Sequence, residues 1–214
     1  MDKLTRRDLL NFLAELADVM PQHQETLREL DAAMGDGDLG VTVTLGMKGI
    51  KEGLPALAEK NIGAILARSG MNFNRAAAST FGVLFASALM RAGATALDKT
   101  EIDLADLAQI FAAAAEGIRS RGKAELGDKT MLDVMAPMAQ ALQEAVDQRL
   151  SLEAAAELAR ARCHEALEAT NAMPGKHGRA GWFREKSIGL TDPGSAALCL
   201  MLDCFTDFVQ HLAG

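Results

Sequence analysis

The sequence has no tyrosine, one tryptophan and only 4% aromatic residues. Its core must therefore come from Ala, Leu, Ile, Val and Met, and 49% of all residues are hydrophobic. Such side chains favour close-packed helices over a sheet rich in rings and β-branched residues. Positive charge is also scarce: 22 Lys and Arg stand against 29 Asp and Glu, a formal net charge of −7. This argues against a general nucleic-acid binder, which needs a basic face to neutralise phosphates. An acidic protein that binds a nucleotide needs a metal ion or local cations to do it. No run approaches the ~20 apolar residues of a membrane span. The opening MDKLTRRDLL lacks the apolar centre of a signal peptide. Cys163, Cys199 and Cys204 are odd in number and form no CxxC pair, so free thiols in a reducing cytoplasm are expected. Cys163 and His164 are neighbours, and neighbours on a helix point in different directions. The histidines His23, His164, His177 and His211 have no zinc-like spacing. The expectation is a soluble cytoplasmic protein with neither nucleic acid nor membrane as partner.

What the sequence does contain is helical periodicity. Leu9, Phe12, Leu13, Leu16 and Met20 recur at helical spacing over 5–20, with Thr5 as cap and Asp8 three residues on. Further helices are expected over 22–34, 45–52, 61–70, 76–91 and 103–119. Another begins at Asp128 or Lys129 and runs to 148, and the last two cover 152–171 and 195–212. Residues 41–44, VTVT, form the one β-like run. No linker, repeat or low-complexity tract interrupts the chain. The expected fold is all-α: one domain, residues 1–214, with about eight helices in a bundle or barrel.

The densest chemistry lies in LDAAMGDGDLG, residues 30–40. Asp31, Asp36 and Asp38 sit close together on a backbone loosened by Gly35, Gly37 and Gly40. Carboxylates held so near each other repel unless a cation joins them. Mg²⁺ is the natural candidate, since it takes oxygen ligands and shares them with phosphates. A solvated turn between two helices is the alternative. GDGDLG matches GxGxxG, but a helix precedes it rather than a strand, and its two aspartates would repel a pyrophosphate. An EF-hand starting at Asp36 fails, with Val41 at position six and Met47 at position twelve. GIRSRGKA, residues 117–124, misses a phosphate loop at its last residue and also follows a helix. The Asp128-Lys129-Thr130 run reads as a helix N-cap or an anion-facing helix start. Arg179 could clamp a phosphate. His177 reads as a surface residue or a ligand-facing one. Residues 192–194, Asp-Pro-Gly, form a turn that opens a helix. All of these stretches lie at helix junctions, and alternate junctions of a bundle gather at one end.

Taken together, LDAAMGDGDLG (30–40), SRGKAELGDKTM (120–131) and GRAGWFREKSIGLTDPG (178–194) resemble the L subunit family of dihydroxyacetone kinases. The resemblance covers essentially the whole chain. It implies a barrel of eight antiparallel helices with a nucleotide site at one rim. Asp31, Asp36 and Asp38 would hold two Mg²⁺ ions bridging to ADP or ATP. Leu39, Gly40, Val41, Thr42, Gly122, Met131, Arg179, Asp192, Pro193 and Gly194 would line the nucleotide. Where the family carries GGxSG, this chain reads AASTFG at 77–82, with Phe81 at the place of the usual serine. Ser79 or Thr80 would then supply a hydroxyl. Leu39 stands where some members have His. The family role is a kinase subunit of glycerol metabolism. It presents nucleotide to a separate K subunit that holds the ketose, with ATP or a phosphotransferase-system protein as phosphoryl source. No residue here reads as a base for the sugar hydroxyl. The departures leave open a related kinase for a four-carbon ketose, or a regulatory binding module. A homodimer is a possible assembly.

Overall fold

The computed structural model describes residues 3–178 and 180–213. Helix α1, Arg6–Val19, starts as the sequence requires. Thr5 accepts the Asp8 amide, and the Asp8 carboxylate accepts the Thr5 amide. After a short 3₁₀ turn, α2 covers Gln24–Ala32 and α3 covers Leu39–Gly53. Asn61 caps α4, Ile62–Ala76, and Ser79 caps α5, Thr80–Thr95. Asp103 and Asp106 form a second capping box at the start of α6, Leu104–Gly122. Helix α7 is Leu132–Asp147, and Ser151 caps α8, Leu152–Ala169. A four-residue α9, Ala180–Phe183, precedes α10, Pro193–Ala213. Eight of these helices have 14 residues or more among the described residues.

The eight long helices close on themselves. Each packs on its sequence neighbour, in the order α1, α3, α4, α5, α6, α7, α8, α10, and α10 returns to α1. Small residues allow the tightest seams. A Cβ on Gly63 or on Gly93 would lie 2.4 Å from the other's carbonyl oxygen, so α4 and α5 meet backbone to backbone. Inside the ring is an apolar cavity of about 160 Å³, walled by Phe12, Leu66, Phe85, Ile110, Met138 and Leu202 among others. Two two-residue strands, β1 Leu4–Thr5 and β2 Glu101–Ile102, pair antiparallel and tie the start of α1 to the α5–α6 connection.

Several expectations are corrected. VTVT is no strand: it lies in the first turns of α3. Leu39, Val43, Met47 and Ile50 are buried at helical spacing, and this packing overrides the β preference of the run. The expected helix over 76–91 begins instead at Thr80, because Ser79 takes the Gly82 amide. The helix expected from 128 begins at Leu132. Lys129 adopts a left-handed φ of 59°, and the Asp133 carboxylate collects the amides of Gly127 and Thr130 ahead of it. Helix α10 is long and apolar enough to cross a membrane, although no such run was expected. It is a core helix here: Asp203 and Asp207 face outward to His164 and Arg160 of α8. Finally, Cys163 and Cys199 are disulfide-bonded rather than free thiols, because the α8–α10 seam brings their Cα atoms to 6.0 Å. Only Cys204 is a free thiol among the described residues, and burial pushes it up to about 11.

Candidate functional site

The acidic loop joins α2 to α3. One oxygen of Asp31 accepts the amides of Asp38 at 2.9 Å and Leu39 at 3.3 Å, so this carboxylate folds the loop back on itself. The reversal depends on glycine. Gly37 has φ +74°, and a Cβ on Gly35 would lie 2.4 Å from an Asp31 oxygen. As a result, Asp31, Asp36 and Asp38 each place a carboxylate oxygen within 4.8 Å of the others, with Asp31 part-buried and the other two exposed. Three hard oxygen donors this close fit a divalent cation such as Mg²⁺. Without a cation they repel.

The loop forms one wall of a cleft of about 700 Å³. Four helices begin there. The cleft is lined by Asp38 and Leu39 at the start of α3, by Ser79 and Thr80 at the start of α5, by Thr130 and Met131 ahead of α7, and by Pro193 and Gly194 at the start of α10. These are alternate helices of the ring, so their N-termini share one rim. Each contributes roughly half a positive charge, which favours anions. The rim thus sets three carboxylates that could hold a cation beside four helix ends that could hold an anion. A second lobe of about 480 Å³ adjoins the cleft, with Val83, Leu84, Ile118 and Ala124 as its apolar walls and Arg121 at hand.

A buried polar cluster braces the far side. Asp128 is buried, and its carboxylate takes the Glu125 amide at 2.8 Å, the Lys176 ammonium at 2.7 Å and His177 Nε2 at 2.9 Å. Burial alone would raise this carboxyl, but these three partners outweigh it and hold it at about 2. The fully buried Lys129 donates to the carbonyls of Ser187 at 2.6 Å and Met173 at 3.2 Å. Burial lowers its pKa, and the nearby Asp192 works the other way. Asp192 caps α10 through the Ser195 amide at 2.7 Å. Burial nonetheless pushes its carboxyl up to about 6.

A family model described as "DAK2 domain" matches residues 33–207. The chain belongs to the DAK2 domain family. The ADP-binding subunit of the PEP-dependent dihydroxyacetone kinase of Escherichia coli strain K12 is 36% identical to this DAK2 domain. That match covers 93% of this chain and 95% of the relative. The ADP-binding subunit of the PTS-dependent dihydroxyacetone kinase of Lactococcus lactis is 27% identical, over 96% of this chain and 99% of that one. L-Erythrulose 1-kinase of Mycolicibacterium smegmatis is 31% identical over 92% of this chain, which spans only 34% of that protein. Among solved structures, the dihydroxyacetone kinase from C. freundii in complex with AMP-PNP and Mg²⁺ shares the fold, with a TM-score of 0.71 at 22% identity. The match covers 97% of this chain and 35% of that one.

Within this DAK2 domain, the fold gathers most of the residues singled out in the sequence. Asp31, Asp38, Leu39, Thr42, Ser79, Thr80, Met131, Asp192, Pro193 and Gly194 all line the cleft. Asp36 joins through the carboxylate triad. Gly122 lies in the second lobe. Gly40 and Val41 put no side chain into the cleft: Gly40 lies against the Gln24 carbonyl, and Val41 is 46% exposed. Arg179 lies outside the described residues. The structure adds Met34, Ala78, Phe81, Leu84, Lys129 and His177 to the walls. Phe81 is buried and stacks on Phe85 with centroids 5.8 Å apart, so at the place of the usual serine it packs. Ser79 uses its hydroxyl oxygen to cap α5. Lys129 lies within the GDKTM stretch. Its inward course follows from its left-handed backbone, which no sequence pattern signals.

Proposed function

We propose that this chain is the nucleotide-binding subunit of a dihydroxyacetone-type kinase. It presents ADP or ATP, with two Mg²⁺ ions on Asp31, Asp36 and Asp38, for phosphoryl transfer to a ketose on a separate K-type subunit. The observation that carries this reading is the convergence of three carboxylates and four helix N-termini on one cleft. Phosphoryl transfer demands positioning and charge neutralisation more than covalent chemistry. Bound Mg²⁺ supplies neutralisation at the phosphates. The chain's own part is to hold the phosphates at the positive N-terminal ends of α3, α5, α7 and α10, and to seat the base in the apolar lobe.

A bound ADP, recharged in place by a phosphotransferase-system protein, is the favoured mode. Its support is that the relatives in E. coli and L. lactis, matched over nearly their whole length, are ADP-binding subunits of PEP- or PTS-dependent kinases. The relative that phosphorylates L-erythrulose favours a second reading, a four-carbon ketose as acceptor.

Calorimetry with Mg²⁺ and ADP tests the site. Asp36→Asn should lose Mg²⁺-dependent binding while keeping its helical circular dichroism, and wild-type-like binding by this variant would remove the metal assignment. Release of ADP on denaturing the purified protein would favour recharging in place. Turnover on a ketose panel with a K-type subunit separates the acceptors.

A further inference from the structure

The two lobes of the cleft are not equivalent. On the nucleotide reading, the larger, beside the carboxylate triad and the helix ends, takes the phosphates, and the smaller, with its apolar walls, takes the base. A nucleotide that fills both must pass its ribose across the residues that line both. These are Ser79, Thr80, Leu84, Thr130, His177 and Gly178. Of them, His177 carries the one ring, and that ring is held in place: its Nε2 lies 2.9 Å from Asp128. The Asp128 carboxylate, ionised at neutral pH, can only accept. In the neutral imidazole Nε2 must therefore carry the hydrogen. Nδ1 is then the ring's lone-pair acceptor, on a residue that lines both lobes. Between a phosphate and a purine, the groups with hydrogens to give to such an acceptor are the ribose hydroxyls.

We infer that His177 reads the ribose of the bound nucleotide, and that Asp128 is the positioning residue that fixes the imidazole tautomer for it. This rests on the nucleotide reading above and deepens it: the site selects ribonucleotides over their deoxy forms. The sequence left His177 between a surface role and a ligand-facing one; the Asp128 bond and the two-lobed wall support the latter.

The test compares Mg²⁺-dependent binding of ADP, 2′-deoxy-ADP and 3′-deoxy-ADP by calorimetry. The wild-type protein should bind ADP about tenfold more tightly than the analogue lacking the contacted hydroxyl, the worth of one hydrogen bond. His177→Ala should bring that ratio close to one, chiefly by weakening ADP. His177→Asn, whose amide oxygen can stand near the place of Nδ1, should restore part of the preference. Asp128→Asn, lacking the charge that fixes the tautomer, should lower the ratio as well. The ratio is the readout because a general loosening of the wall weakens all three ligands together. An unchanged ratio in His177→Ala, or equal wild-type affinity for all three ligands, overturns the ribose assignment alone. No binding of Mg²⁺-ADP by the wild-type protein overturns the nucleotide reading, and this inference with it.

Discussion

Asp128 offers a measurement in which the cluster beside the cleft reports its own strength. Its carboxyl sits at about 2 against an ordinary 3.8. At roughly 1.4 kcal/mol for each tenfold change in proton affinity, that difference stabilises the fold by about 2 kcal/mol at neutral pH. The residue is only 7% exposed, so solvent screening removes little of it. The sign follows from the direction. A carboxyl depressed in the fold contributes fully above its unfolded value near 3.8, and the contribution is lost as the pH falls through about 2. Asp128→Asn keeps the shape and the bond from the Glu125 amide but cannot ionise. Urea unfolding followed by circular dichroism should place the variant about 2 kcal/mol below the wild-type protein at pH 7. The gap should narrow on acidification, with about half of it remaining near pH 3. Titrating groups away from the cluster cancel in this difference. A gap that does not change between pH 7 and pH 3 would refute the ion-pair account of the cluster, as would a variant as stable as the wild-type protein at pH 7.

Two further outcomes are expected. Gly40→Ala would bring a Cβ to 2.0 Å from the Gln24 carbonyl oxygen, which forces α2 and α3 apart. It should cost about 1–3 kcal/mol in urea unfolding. It should also weaken Mg²⁺-dependent ADP binding, since α2 carries Asp31 and Asp38 stands directly ahead of α3. Asp192 has the opposite sign to Asp128. Burial raises its carboxyl to about 6, so the fold favours the protonated form, and the contribution present below 3.8 is lost as the pH rises through about 6. Asp192→Asn stays neutral and can still accept the Ser195 amide. Without ligand it should be more stable than the wild-type protein at pH 8, by up to about 3 kcal/mol, and equal to it below pH 4. Thermal melts at the two pH values decide.

The sequence revealed helices through periodicity and capping, and the cap at Thr5 lies where its residue type places it. It misled where local preference met tertiary packing. Val41 to Thr44 favour a strand taken alone, yet the buried face of Leu39, Val43 and Met47 draws them into α3. The triad was legible because its three aspartates are close in the chain and glycines surround them. The other walls come from residues far apart, and only closure of the ring brings Ser79, Met131 and Asp192 to one rim. Gly40 and Val41 show the limit of reasoning by proximity. They neighbour Leu39 in sequence, but a helix turns each successive residue by about 100°, and neither puts a side chain into the cleft. The Cys163–Cys199 bond was hidden for a related reason: spacing in the chain says nothing about which helices share a seam.

One consequence of the closed ring lies in its parity. With an even number of long helices alternating in direction, the chain enters and leaves the ring at the same end. Helix α10 begins in the cleft and its 21 residues carry the chain about 30 Å away from it. Helix α1 starts at the strand pair with Glu101–Ile102, just beyond the far end of α5, whose own first residues are in the cleft. Both ends therefore lie behind the site. A domain joined at either end extends from the back of the barrel and leaves the mouth open. This geometry suits a fold that makes up about a third of some longer relatives. With nine helices in the ring, one of those ends would lie across the cleft.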